Sequence, residues 1–207
     1  MARTILDKEI RRQQILDASI RVIARKGYRA SSISDMVFEA GVARGTFYLY
    51  FDSKEEIFKA ILDYYFQSIK NFVMPGMRQG YNVYDASGGL KDLVIVWLRF
   101  FDENRDLAKI VIREAAAIDP DYEFKYTEVL KAIHQHWESS MRQLQKIGVL
   151  RKDVDISFAG FMVSGMLNQA VLSHVLPSQK PDIEKLADKL ANLIKKGIAQ
   201  EDSLRWT

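Results

Sequence analysis

Apolar side chains recur every three or four positions along nearly the whole chain, and alternation of the strand type is absent. Ile15, Leu16, Ile20, Val22 and Ile23 share a face of a first helix over about Asp7–Lys26, with residues 1–7 as a basic-tipped arm. Gly27 suits its C-terminus, where Arg25 and Lys26 complement the helix dipole. The segment 31–57 then predicts two short helices and the start of a longer one. Ser32 with Asp35 forms a capping box, Gly41 ends the first short helix, and the second runs from about Arg44 to Tyr50. Ser53 with Glu56 opens a fourth helix reaching about Val73, and Pro75-Gly76 is expected to stop it. Between Pro75 and Gly89 the composition is that of a loop.

Five further helices complete the pattern. They run over about Gly89–Glu103, Asp106–Ile118, Tyr122–Lys146, Ile156–Leu176 and Asp182–Gln200. The fold class is therefore all-α, with about nine helices. A three-helix domain over residues 1–53 precedes a larger helical domain over 54–207, joined by the connecting helix 54–73. Helix, glycine turn and short helix in this order form a helix-turn-helix, whose second helix can enter the major groove of DNA.

Composition narrows the function. Cysteine is absent, which excludes disulfides and thiolate metal sites. No apolar run of about 18 residues stands without polar interruption, because Asn168, Gln169 and His174 break the longest. The N-terminal stretch has no signal-peptide core, so a cytoplasmic location is expected. Net charge is +3. Residues 1–59 carry 11 Lys/Arg against 8 Asp/Glu, so the positive excess lies wholly beside the helix-turn-helix. His134 and His136 are spaced to face different sides of a helix, and nucleotide-cradling or nucleophile-elbow motifs are missing; no metal, cofactor or catalytic centre is expected.

Arg44 is the one long polar side chain near the start of the second short helix, and Arg pairs bidentately with guanine. Gly45 lets backbone approach the groove, and Thr46 can hydrogen-bond a base or touch a thymine methyl. Arg29 and Ser32 are further candidates for phosphate contact, as are Arg3, Arg11 and Arg12 near the N-terminus.

The run EAGVARGTFYLYFDSKEEIF resembles the helix-turn-helix signature of the TetR family of bacterial transcription regulators. Gly41-Val42, Gly45-Thr46-Phe47-Tyr48, Tyr50-Phe51 and Ser53-Lys54-Glu55 carry the match. Val37 stands where that family mostly has a small Ala, and Phe38 where it mostly has a polar residue. The resemblance implies base contacts from Ala43, Arg44, Gly45 and Thr46, with phosphate contacts from Tyr48, Tyr50 and Lys54. It also implies a homodimeric repressor on a palindromic double-stranded operator, released by an apolar or amphipathic small molecule.

Aromatic and Met side chains are abundant in the second domain, and as a set they read either as core or as pocket wall. The candidate ligand-binding residues are Trp97, Phe101, Arg113, Glu114, Trp137, Met141, Phe161 and Asn168. The helix over Ile156–Leu176 is apolar nearly all round and calls for burial on both sides. A dimer interface through Ser164, Gly165, Leu172, Leu186, Leu190 and Leu193 meets that need. The alternative is a DNA-binding regulator without an effector, controlled by a protein partner or by abundance; a helical enzyme is the third reading.

Overall fold

The computed structural model describes residues 2–78, 89–118, 127–128, 131, 134–135, 138–139, 141–143 and 145–199; for 2–6, 72–78, 89 and 115–118 it describes backbone only. Among the described residues every regular element is helical. In chain order they are α1 (Ala2–Lys26), α2 (Ile33–Ala40), α3 (Arg44–Tyr48), α4 (Lys54–Arg78), α5 (Gly89–Glu103), α6 (Arg105–Ile118), α7 (Ile156–Ala170) and α8 (Ile183–Ile198). The described residues from Thr127 to Lys146 are helical as well. Among the described residues one isolated bridge joins Leu150 and Ala199.

Two compact units divide the chain, residues 1–68 with 104–123 and residues 69–103 with 124–207. In the first, α2 and α6 pack on α1. Its core is large and apolar: Ile15, Leu16, Ile23, Met36, Phe47, Phe51, Ile57, Phe58, Ile61 and Leu62 are almost wholly buried. Each such side chain contributes roughly 1.5–3 kcal/mol on burial. In the second, α5 packs on α7, on the turn that follows α7, and on α8.

Local capping explains the first unit's short helices. The Ser32 hydroxyl accepts from the Asp35 N–H, and the Asp35 carboxylate accepts from the Ser32 N–H at 3.0 Å. Gly41 closes α2 at φ 64°, a left-handed conformation that costs glycine least. Ser53 caps α4 through the Glu56 N–H at 3.1 Å, while the Glu56 carboxylate accepts from Asp52. Asp155 and Asp182 cap α7 and α8 in the same way, through the N–H groups of Phe158 and Lys185 at 3.1 Å.

Four expectations are corrected. Residues from Ala2 onward are part of α1 rather than a separate arm, since nothing before Asp7 breaks a helix. The second short helix stops at Tyr48 instead of Tyr50. α4 runs through Pro75 and Gly76 to Arg78; a proline removes one hydrogen bond and bends a helix without forbidding another turn. The Ile156–Leu176 helix is α only to Ala170 and then widens into a π turn over Val171–Val175, where the Leu176 N–H bonds the Val171 carbonyl at 3.0 Å. By length and composition alone Ile156–Val175 is apolar enough to cross a bilayer; here Ile156, Val163, Leu167, Val171 and Val175 are buried in the protein. The loop expected over Pro75–Gly89 lies outside the described residues between 79 and 88.

Candidate nucleic-acid interface and ligand cavity

α3 is held from beneath. Phe47 is fully buried and meets Phe51 with ring centroids 5.9 Å apart. That anchoring turns Ala43, Arg44 and Gly45 outward, all exposed, with Thr46 half-buried beside them. Ala43 precedes the helix in extended conformation and supplies no side-chain cap. The Arg44 guanidinium stands 5.9 Å from the centre of the Tyr48 ring, one turn further on. Tyr48 is exposed and Tyr50 half-buried, so each ring touches the protein while part of it reaches solvent.

Arg29 is exposed, and the exposed Ser32 already uses its hydroxyl in the capping box. Lys54 differs most from its expected part. Its ammonium donates to the Ser31 carbonyl at 2.6 Å and the Arg29 carbonyl at 3.4 Å, and lies 4.3 Å from the centre of the Tyr28 ring. It therefore ties the turn before α2 to the start of α4. The Tyr28 hydroxyl is pushed upward in pKa by burial and by the neighbouring Glu55 carboxylate.

Ion pairs fix α2 on α1. Glu39 accepts from Arg21 and Arg25, each at 2.9 Å, and Asp35 accepts from Lys26 at 2.6 Å. The Lys26 ammonium, then the Ser32 hydroxyl and N–H, hold the Asp35 carboxyl at a pKa of about 2.

The second unit contains a cavity of about 700 Å3. Its apolar wall is Trp97 from α5 with Phe158, Phe161 and Leu167 from α7. Ser164, Gly165 and Asn168 continue that wall, and Thr127, Lys131, His134, Asp155 and Ser157 supply further polar groups. Gly160 admits the histidine, since a Cβ there would stand 3.2 Å from His134 Cε1.

Among the candidate ligand residues, the fold brings Trp97, Phe161 and Asn168 to this cavity. Phe101 stands behind, its ring 5.2 Å from that of Trp97, and Met141 is buried away from the wall. Trp137 lies outside the described residues. Arg113 and Glu114 are corrected: α6 belongs to the first unit and packs on α1, where Glu114 approaches Gly27 and Arg113 faces solvent. Lys131 and His134 were not foreseen. With Thr127 they fall at i, i+4 and i+7, a polar stripe that marks one helix face.

Of the expected interface residues, Leu172 and Leu193 are exposed. Leu190 is corrected, being buried inside its own unit, and Leu186 is half-buried. Ser164 and Gly165 face the cavity, and the Ser164 hydroxyl donates to the Gly160 carbonyl at 2.9 Å. Phe158, Phe161 and Met162 are further exposed apolar side chains on α7.

Comparison with known proteins gives concordant results. The family model of bacterial regulatory proteins of the tetR family matches residues 15–61, and that of the YsiA-like protein C-terminal region matches residues 71–197. The fatty acid metabolism regulator protein of Bacillus subtilis is 27% identical over 188 residues, covering 89% of this chain and 94% of that protein. The fatty acid degradation regulator FadR from Bacillus halodurans has a similar structure, with a TM-score of 0.73, 26% identity, and coverage of 90% of this chain and 95% of that one. FadR from Bacillus subtilis, solved in complex with stearoyl-CoA, gives a TM-score of 0.72 at 26% identity, covering 90% of this chain and 98% of its own.

Proposed function

The chain belongs to the TetR family of bacterial transcription regulators, and from that premise we propose that it is a cytoplasmic, dimeric repressor released from its operator by a long-chain acyl thioester of coenzyme A. The cavity carries this reading. Its volume falls within the roughly 300–1,000 Å3 of small-ligand pockets, and its wall changes from aromatic and aliphatic at Trp97, Phe158, Phe161 and Leu167 to polar at Thr127, Lys131, His134 and Asp155, where the Lys131 ammonium also pairs with Glu128 at 2.9 Å. An acyl chain suits the first part and a polar head group the second. The FadR of Bacillus subtilis, similar over nearly its whole length, was solved with such a ligand.

On the DNA side, Arg44 reads a guanine edge, Ala43, Gly45 and Thr46 line the approach to the bases, and Arg29, Ser32, Tyr48, Tyr50 and Lys54 hold phosphates. Release requires that ligand and operator favour different states; reversing a 99:1 population takes about 5.5 kcal/mol of differential affinity.

The test is fluorescence anisotropy on a labelled fragment from upstream of the protein's own gene. Stearoyl-CoA is expected to release the fragment at micromolar concentration, while free coenzyme A leaves it bound. Operator binding indifferent to acyl-CoA of every chain length would favour control by a protein partner or by abundance. In the same assay Arg44→Ala is expected to cost about 1–3 kcal/mol on the operator and far less on random DNA. An equal loss on both would remove Arg44 from base reading.

A further inference from the structure

The two glycines of α7 differ in what surrounds them. Gly160 is buried, and a Cβ placed on it would stand 3.2 Å from His134 Cε1, so it is a glycine of close packing. Gly165 is exposed and lines the cavity, and among the described residues nothing stands within 4 Å of where its Cβ would be. Its φ is not left-handed either. Glycine is among the poorest formers of a helix interior, so its place in the middle of α7 needs a reason other than packing or backbone conformation. The cavity supplies one. Phe158, Phe161, Gly165 and Asn168 follow one another at spacings of three, four and three, which sets them on one face of the helix, and all four line the cavity. That face carries two phenyl rings, then no side chain, then an amide. The room over Gly165 belongs to the cavity.

We infer that Gly165 determines how large an acyl chain the cavity admits, by leaving vacant the volume that a side chain would take. The inference rests on the acyl thioester reading above and adds to it the residue on which chain length depends. An apolar wall discriminates by volume. A hydrocarbon chain laid over Phe158 and Phe161 gains dispersion contacts until it meets a side chain, and each further methylene must then displace packed atoms. A branched side chain at position 165 would bring such a stop into the cavity, whereas glycine leaves the space to a long chain.

Calorimetric titration of the native protein and of Gly165→Leu with octanoyl-, lauroyl- and stearoyl-CoA tests the assignment. Gly165→Leu is expected to weaken stearoyl-CoA by at least about tenfold and octanoyl-CoA by less than about threefold, the scale on which apolar sites sense misfitting methylenes. An equal loss at every chain length, or none at all, overturns the role of Gly165 and leaves the acyl-CoA reading intact. No binding of any of the three to the native protein overturns both together. Gly165→Ala is the control on folding: with open space around its Cβ it is expected to raise the melting temperature, as alanine does in a helix. A lower melting temperature, or a monomer in light scattering, would make Gly165 a glycine of packing or of subunit pairing and overturn the assignment. Should Gly165→Leu fail to fold, Gly165→Ala carries the titration, with a smaller shift of preference toward the shorter chains; an unshifted preference then overturns it.

Discussion

Lys54 shows how one side chain serves two surfaces. An ammonium has three donors, and two of them point at the Ser31 and Arg29 carbonyls, leaving one for a DNA phosphate. Lys54→Ala is expected to lower the free energy of unfolding by ~1 kcal/mol in urea titration. It is also expected to lower the salt slope of operator binding by about one unit. A slope that does not move would confine Lys54 to the turn before α2. Among the described residues Arg44 has no such internal tie, only the Tyr48 ring one turn away. Charge and length make both residues stand out in the sequence, but only packing separates their roles.

The helix-turn-helix as an element depends on how α2 is pinned to α1, and that pinning titrates. Because Lys26 and Ser32 depress the Asp35 carboxyl, folding is favoured by its ionised form. The contribution is complete above the ordinary carboxyl pKa near 4 and is lost as pH falls through about 2. Thermal melts of Asp35→Asn and the native protein should therefore differ at pH 6 and converge between pH 4 and 2. A gap constant over that range would separate the Asp35 charge from stability. This capping box was readable in the sequence because its partners are three residues apart and need no tertiary information. The same holds for Gly41. What faces the cavity was less readable. Aromatic residues of α5 and α7 share one composition, and only their packing sends Trp97 and Phe161 to the wall and Phe101 behind it. Arg113 and Glu114 interrupt an apolar run as pocket anchors would, yet α6 faces α1, a matter of long-range contact that periodicity does not encode.

At the scale of the whole molecule, the second unit keeps, apart from the cavity wall, an apolar surface of Met162, Leu172 and Leu193, between 43% and 62% exposed. Water-facing side chains of this size on two helices fit a two-fold pairing, in which one patch serves both copies. Leu193→Lys is expected to yield a monomer in light scattering and to weaken operator binding more than 100-fold, since two linked readers gain roughly 10²–10⁴ in avidity. A variant that stays dimeric would move the interface elsewhere. The sequence placed Leu190 outward because an amphipathic face does not reveal how far around the helix the interior reaches.

The π turn after α7 gives this surface its phase. Buried Val163, Leu167, Val171 and Val175 recur at steps of four. In an α-helix each such step overshoots a full turn by about 40°, so a long series of fours spirals off the core. The wider turn over Val171–Val175 takes up that drift and keeps Val175 beneath the protein. Like a leap day, one added residue restores the calendar of the helix, and the chain meets Pro177 with its inner face still turned inward.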